Sequence, residues 1–263
     1  FSYNQQAVVP IYLVMRVSKR PSGTGFCKKQ PPKYGVEAEW DKDAGNYKLY
    51  THYDRELAGD DVGVWFSYET TEGEQLEVRM GVSFVSVENA RLNLEAEQQE
   101  RSFDDIRAAA RRSWNDDLGR IRVEGGTDAQ KKVFYTGLYH ALIHPNVLSD
   151  VNGEYPAMES AEIRTAEGNR YTVFSLWDTY RNLHQLMTLV YPERQLEMVR
   201  SMIGMYKEWG WLPKWELYGR ETFTMEGDPA IPVIVDTWMK GLRDFDMDAA
   251  YEAMRKSATT PGA

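Results

Sequence analysis

The hydrophobic period changes once along this chain, and that change constrains the fold more than any other feature. Leu76, Val78, Met80, Val82 and Phe84 alternate with Glu77, Arg79, Gly81 and Ser83, the period of two that marks a half-buried antiparallel strand. Similar short runs occur at 8–17, 36–40, 47–53 and 62–68, separated by turn signals such as Asp43-Ala44-Gly45-Asn46 and Glu72-Gly73. Strands at this spacing predict an antiparallel β-sandwich over residues 1–95. The sequence opens at Phe1 with no signal peptide and enters a strand-like run almost at once, so earlier strands are expected to precede it.

Residues 96–126 read differently. The stretch 96–120 is polar and rich in Ala, Glu, Gln and Arg, which predicts a linker helix closed by Gly125-Gly126. From Thr127 onward the period is helical. Thr127 and Gln130 have capping-box spacing ahead of Val133, Phe134, Leu138 and Ala141. Further helices are predicted over 175–190, 192–208, 228–243 and 247–257, with Pro192 and Pro229 in first turns, where proline is tolerated. About five helices of ordinary length therefore fill 127–263, joined by long loops of the kind that usually carry function.

Charge and composition narrow the function classes. Net charge is −9 and the acidic excess is spread along the chain, so no basic patch marks a nucleic-acid surface. The densest basic stretch, Arg107 to Arg112, lies beside Asp104, Asp105, Asp116 and Asp117, which fits a solvated helix. No apolar run approaches the length of a membrane span. The single cysteine, Cys27, allows neither an internal disulfide nor a cysteine metal site. His140, His144 and His184 lack zinc-site spacing, and no phosphate loop, nucleophile elbow or dinucleotide fingerprint is present. Aromatic residues make up 13% of the chain, with 8 Trp and 16 Tyr, and many fall in predicted loops. Flat aromatic faces in loops suit the weakly apolar C–H faces of sugar rings, although ordinary core packing uses the same residues.

Three stretches could carry chemistry. In Phe174-Ser175-Leu176-Trp177-Asp178-Thr179-Tyr180-Arg181, Ser175 and Asp178 have capping-box spacing, and Arg181 can pair with Asp178 on the surface. The sharper reading has Asp178 binding sugar hydroxyls and Trp177 packing against the ring. The second stretch, 209–219, holds Trp209, Trp211 and Trp215 with Gly210 and Pro213 between them. It is either a packed loop or an aromatic wall with Glu216 as its polar anchor. In the third, Asp228 before Pro229 is an N-cap candidate, and Asp236 sits on an apolar helix, where a carboxylate needs a buried partner or a polar cavity. Asp178, Glu216, Asp228 and Asp236 are the carboxylates from which a glycosidase pair could be drawn.

Taken in order, Tyr139-His140-Ala141-Leu142-Ile143-His144-Pro145, Asp150-Val151-Asn152-Gly153, Ser175 to Arg181, Gly210 to Glu216, Met225 to Ala230, Asp236 and Lys240-Gly241 resemble glycoside hydrolase family 92. The match covers 133–260, and the first 120 residues match more loosely. The resemblance implies a β-sandwich followed by the first part of an (α/α)6 toroid. It implies inverting, exo-acting hydrolysis of α-mannosides, commonly α-1,2-linked, with a bound calcium that helps distort the terminal mannose. It places Trp177 and Asp178 in the terminal-mannose pocket, with Glu216 and Asp228 near it. It also implies a periplasmic, secreted or cell-surface bacterial enzyme acting on mannose-containing glycans.

The family's general acid, general base and Gly-His-Gly-Asn-type calcium segment match nothing here. They are expected beyond Ala263, either in the same chain or on a second polypeptide carrying the rest of the toroid. The 263 residues alone are accordingly expected to be inactive, to hold no metal by themselves and to expose apolar surface on the last helices. The competing readings are another (α/α)6 glycosidase and a carbohydrate-binding fragment without catalysis.

Overall fold

The computed structural model describes residues 9–29, 47–50, 62–98 and 100–260. The strand readings at 36–40 and the turn at Asp43–Asn46 lie outside the described residues, as do Val8 and 51–53. The described chain is β in its first part and mainly helical in its second. Its elements are β1 (Tyr12–Val17), β2 (Gly23–Lys29), β3 (Tyr47–Tyr50), β4 (Val62–Ser67), β5 (Val78–Ser83), α1 (Val87–Gln98), α2 (Phe103–Leu118) and α3 (Asp128–Ala141). The short strands β6 (Asn146–Val147), β7 (Glu154–Pro156), β8 (Ile163–Thr165), β9 (Tyr171–Thr172) and β10 (Phe174–Ser175) follow. The chain continues through α4 (Leu176–Thr179), α5 (Leu183–Val190), α6 (Pro192–Trp209), β11 (Trp215–Leu217), β12 (Arg220–Glu221), α7 (Ala230–Met239) and α8 (Met247–Thr259).

Two compact units divide the chain, 15–79 and 1–14 with 80–263. Within the first, β2 is the central strand of an antiparallel β3-β2-β4 sheet, with Phe26 opposite both Tyr50 and Val64. Gly63 faces Cys27, and a Cβ there would lie 2.9 Å from the Cys27 sulfur, so the glycine leaves room for the thiol.

In the second unit the helical region begins earlier than the sequence pattern indicated. The linker reading at 96–126 and the β reading up to 95 give way to α1 from Val87 and α2 from Phe103. Ser102 and Asp105 close a capping box on α2, a start signal inside the stretch read as one helix. The alternation over 76–84 does form β5, but its facing is reversed. Val78, Met80 and Val82 are exposed, while Gly81 and Ser83 are buried. Gly81 is the reason: a Cβ there would come within 2.1 Å of the Ala90 carbonyl of α1, so only glycine lets α1 lie so close to the strand.

That contact is locked by a buried polar knot. Asp150 Oδ2 accepts from Ser83 Oγ at 2.6 Å and Asn89 Nδ2 at 2.8 Å, and its Oδ1 accepts from Asn93 Nδ2 at 2.6 Å. Both oxygens of a buried carboxylate are thereby satisfied, as burial requires.

The main core of this unit surrounds α6. Met198, Val199, Met202, Ile203 and Met205 are buried on it and meet Phe174, Leu176, Val233, Ile234 and Ala250. Their spacing forms one stripe of a helix, and each such side chain contributes about 1.5–3 kcal/mol when fully buried. Proline in its first turn starts α6, and Gly210 at φ 97° ends it, because a left-handed C-cap is nearly free for glycine. The predicted helix 175–190 is two helices, α4 and α5, interrupted at 180–182.

Candidate functional site

A three-stranded antiparallel sheet, β10-β11-β12, joins the stretches singled out in the sequence. Phe174 lies opposite Glu216 and Ser175 opposite Trp215. The turn carrying Trp177 and Asp178 therefore springs from a strand held against the tryptophan loop, although about 40 residues separate the two. Asp228 joins them through Lys214, whose Nζ stands 4.0 Å from Asp228 Oδ1.

The four predicted residues differ in exposure. Asp178 is exposed and Trp177 half-buried. Ser175 Oγ donates to Asp178 Oδ2, while no side-chain cap bond is made by Ser175 at the start of α4. The capping-box reading is corrected to a side-chain pair, because four residues of helix give the cap little to satisfy. Arg181 stacks over the rings of Trp177 and Tyr180, at 5.3 and 4.9 Å from their centroids, and so braces the indole. At α7 the N-cap position belongs to Pro229, with no side-chain cap bond, which leaves the half-buried Asp228 carboxylate to Lys214. Asp236 is not buried: it pairs with Lys240 one turn on, at 2.6 Å, and needs no cavity.

Glu216 is wholly buried. Its Oε1 accepts from Thr172 Oγ1 at 2.7 Å and from the Gly219 N–H at 2.5 Å, and its Oε2 accepts from the Val173 N–H at 3.0 Å. Removal from water pushes its carboxyl up to about 7 against those three donors.

The backbone it touches is strained. Val173 has φ 64° and Tyr218 φ 49°. A β-branched residue in the left-handed region is an outlier, and such conformations cost about 1–3 kcal/mol each and cluster at ligand clamps. Glu221, also buried, accepts from the N–H groups of Lys214 at 2.7 Å and Trp215 at 2.9 Å. Two buried carboxylates thus hold the tryptophan loop by its backbone. Lys256 closes the other end of that loop, donating to the Gly210 carbonyl at 2.7 Å with its ammonium 4.5 Å from the Trp211 ring centroid.

A buried chain of polar groups supports the Trp177 turn from below. Gln195 Nε2 donates to Thr237 Oγ1 at 2.9 Å, and that hydroxyl donates to the Val233 carbonyl at 2.7 Å. Gln195 Oε1 is then the acceptor for His184 Nδ1 at 3.0 Å, leaving His184 Nε2 to accept from Thr179 Oγ1 at 3.1 Å. His184 is neutral in this arrangement, and burial lowers its pKa to about 4. Sequence reading rejected His184 as a zinc ligand but gave no sign of this link between α4, α5, α6 and α7.

Elsewhere, a cleft of about 730 Å³ is lined by Tyr155, Arg170, Arg200, Lys207 and Asp246 among others. The lining Arg170 forms a buried ion pair with Glu208 at 2.9 Å. Arg200 and Lys207 are paired with Asp244 and Asp246. Among the described residues no three His, Cys, Asp or Glu side chains gather closely enough to hold a metal.

The model of the glycosyl hydrolase family 92 catalytic domain matches residues 89–263. A family 92 α-mannosidase of Bacteroides thetaiotaomicron, BT3965, superposes with a TM-score of 0.80 at 32% identity, covering 95% of this chain and 32% of its own. An inverting family 92 mannosidase of the same organism, BT2199, gives 0.81 at 30% identity, covering 93% of this chain and 31% of its own. A protein of Arthroderma benhamiae described as an uncharacterized secreted glycosidase is 28% identical over 189 residues, which is 70% of this chain and 20% of the relative. The chain thus spans less than a third of the length of these relatives. With the match running from α1 through α8, this chain belongs to glycoside hydrolase family 92.

Proposed function

We propose that the chain is part of an exo-acting α-mannosidase that removes terminal, α-1,2-linked mannose from glycans with inversion. The observation that carries the reading is the β10-β11-β12 sheet, which sets a braced tryptophan and an exposed carboxylate, Trp177 and Asp178, beside the Trp215 loop. An indole face and an adjacent carboxylate are what a sugar ring with vicinal hydroxyls requires. The likeness to two solved mannosidases at 30% and 32% identity supports mannose as that sugar. Asp228, held near Lys214, completes the polar rim, and Glu216 contributes from beneath it.

On this reading the general acid and base come from polypeptide outside these residues, in the same longer chain or in a second one. Calcium belongs to the same proposal, with ligands other than a carboxylate cluster of the described residues. Export to the periplasm or cell surface is proposed from the secreted relative, and no helix among the described residues is long and apolar enough to cross a membrane.

The test is a panel of aryl glycosides offered to the natural gene product, with the first anomer released followed by NMR. The α-mannoside alone should react, giving β-mannose first. Cleavage of an α-rhamnoside or an α-glucoside instead would move the assignment to another toroid glycosidase. Mannose binding without cleavage of any substrate would make this a binding protein.

A further inference from the structure

Glu216 sits at the one point where both strained turns of the site converge. Val173 is the residue before β10, and its N–H donates to Glu216 Oε2 at 3.0 Å. Tyr218 and Gly219 form the tight turn between β11 and β12, and the Gly219 N–H donates to Glu216 Oε1. The Tyr218 N–H reaches the same carboxylate through one intermediary, donating at 2.7 Å to Thr172 Oγ1, whose hydroxyl is spent on Glu216 Oε1 at 2.7 Å. Every donor around this carboxylate therefore belongs to a residue in left-handed backbone or to a neighbour of one. Strain of this kind persists only where the surroundings over-determine it. The two-residue β11–β12 hairpin itself favours positive φ at Tyr218 and Gly219, whereas no such turn accounts for Val173, and Glu216 is the side chain that ties Val173 to that hairpin.

The consequence lies downstream of Val173. Its kink turns the chain into β10, Ser175 is registered against Trp215, and Ser175 Oγ in turn holds Asp178. On the other side, Tyr218 is turned outward with its ring 5.2 Å from that of Phe84. Glu216 itself has no exposed surface with which to meet a sugar.

We infer that Glu216 is a positioning residue: it holds Val173 in left-handed backbone against the Tyr218-Gly219 turn and thereby aims Trp177 and Asp178, without contacting the sugar. The part of this inference that concerns sugar rests on the mannosidase reading above.

Two measurements on the natural gene product separate the two claims. The first is the crystal structure of the Glu216→Gln variant. An amide cannot accept from both N–H groups, so Val173 should leave positive φ and Asp178 should move by about 1 Å or more, the scale at which misplacement becomes costly. Val173 unchanged with Trp177 and Asp178 in place would overturn the inference. The second is a double-mutant cycle on α-1,2-mannobiose with Glu216→Gln and Asp178→Asn. Each single change should lower kcat/KM by about tenfold or more, and the double variant should be no worse than Asp178→Asn alone. Multiplicative losses would mean that Glu216 acts by another route. A displaced turn together with an unaffected Asp178→Asn enzyme would leave the positioning intact and remove the sugar assignment. If Glu216→Gln does not fold, Thr172→Val, which removes only the bridge to Tyr218 and one donor to Glu216, carries both measurements with smaller effects of the same sign.

Discussion

Two buried ionisable groups beneath the site should bend the stability of this protein with pH in opposite directions. Glu216 has its pKa raised from 4.5 to about 7 and His184 has its pKa lowered from 6.5 to about 4, both chiefly by burial. For the glutamate, the folded state holds its proton more tightly than the unfolded state. Its contribution is full below pH 4.5 and is lost as pH rises toward 7. For the histidine, the folded state resists protonation. Its contribution is full above pH 6.5 and is lost as pH falls toward 4.

Each shift amounts to about 3 kcal/mol at about 1.36 kcal/mol per pKa unit, so across the shared window the two slopes nearly cancel. The perturbation is to remove one group at a time, with His184→Gln and Glu216→Gln. The assay is urea unfolding followed by tryptophan fluorescence at intervals from pH 4 to 8, comparing variants with the parent so that all other titrations drop out. The gap between parent and His184→Gln should widen by about 3 kcal/mol as pH rises from 4 to 6.5. The gap between parent and Glu216→Gln should narrow by about the same amount from pH 4.5 to 7. Three parallel curves would show that neither group is desolvated as described.

Two further outcomes follow from the packing. Glu208→Gln should destabilise by about 3–5 kcal/mol, because it leaves Arg170 charged and buried, while Arg170→Met with Glu208→Leu should recover much of that loss; thermal unfolding reads both. Gly81→Ala should cost at least about 1–3 kcal/mol by driving α1 from β5, and faster hydrogen exchange confined to Val87–Gln98 would localise the damage to that helix.

The helical half was the more legible in sequence because its signals are local. Thr127 and Gln130 lie three residues apart and do form a reciprocal cap on α3, and Pro192 and Gly210 bound α6 as their backbone preferences dictate. The facing of β5 was not legible. Alternation distinguishes two sides of a strand but not which one is covered, and here Gly81 decides it through a contact with Ala90. The split between α4 and α5 carries no glycine or proline to announce it.

For the site, the sequence offered Trp177 and Asp178 as an aromatic-acidic pair next to a helix start, and the structure leaves Asp178 exposed and Trp177 half-buried. The character of Glu216 could not. Its partners Thr172 and Val173 are more than 40 residues away in sequence, and an acidic residue between Trp215 and Leu217 looks the same whether it faces a sugar or the core. The one available hint was its place in a short strand between two apolar neighbours. Arg170 and Glu208 pair across 38 residues and left no mark on any periodic pattern.

The site around Trp177 and Asp178 is proposed to serve mannose release. Its most direct test is hydrolysis of α-1,2-mannobiose by the natural gene product, first with calcium, then with chelator, then with calcium restored. Free mannose is expected that ceases on chelation and returns with the ion, and that falls by about tenfold or more when Asp178 becomes Asn. Absence of release from any α-mannoside under all three conditions would contradict it.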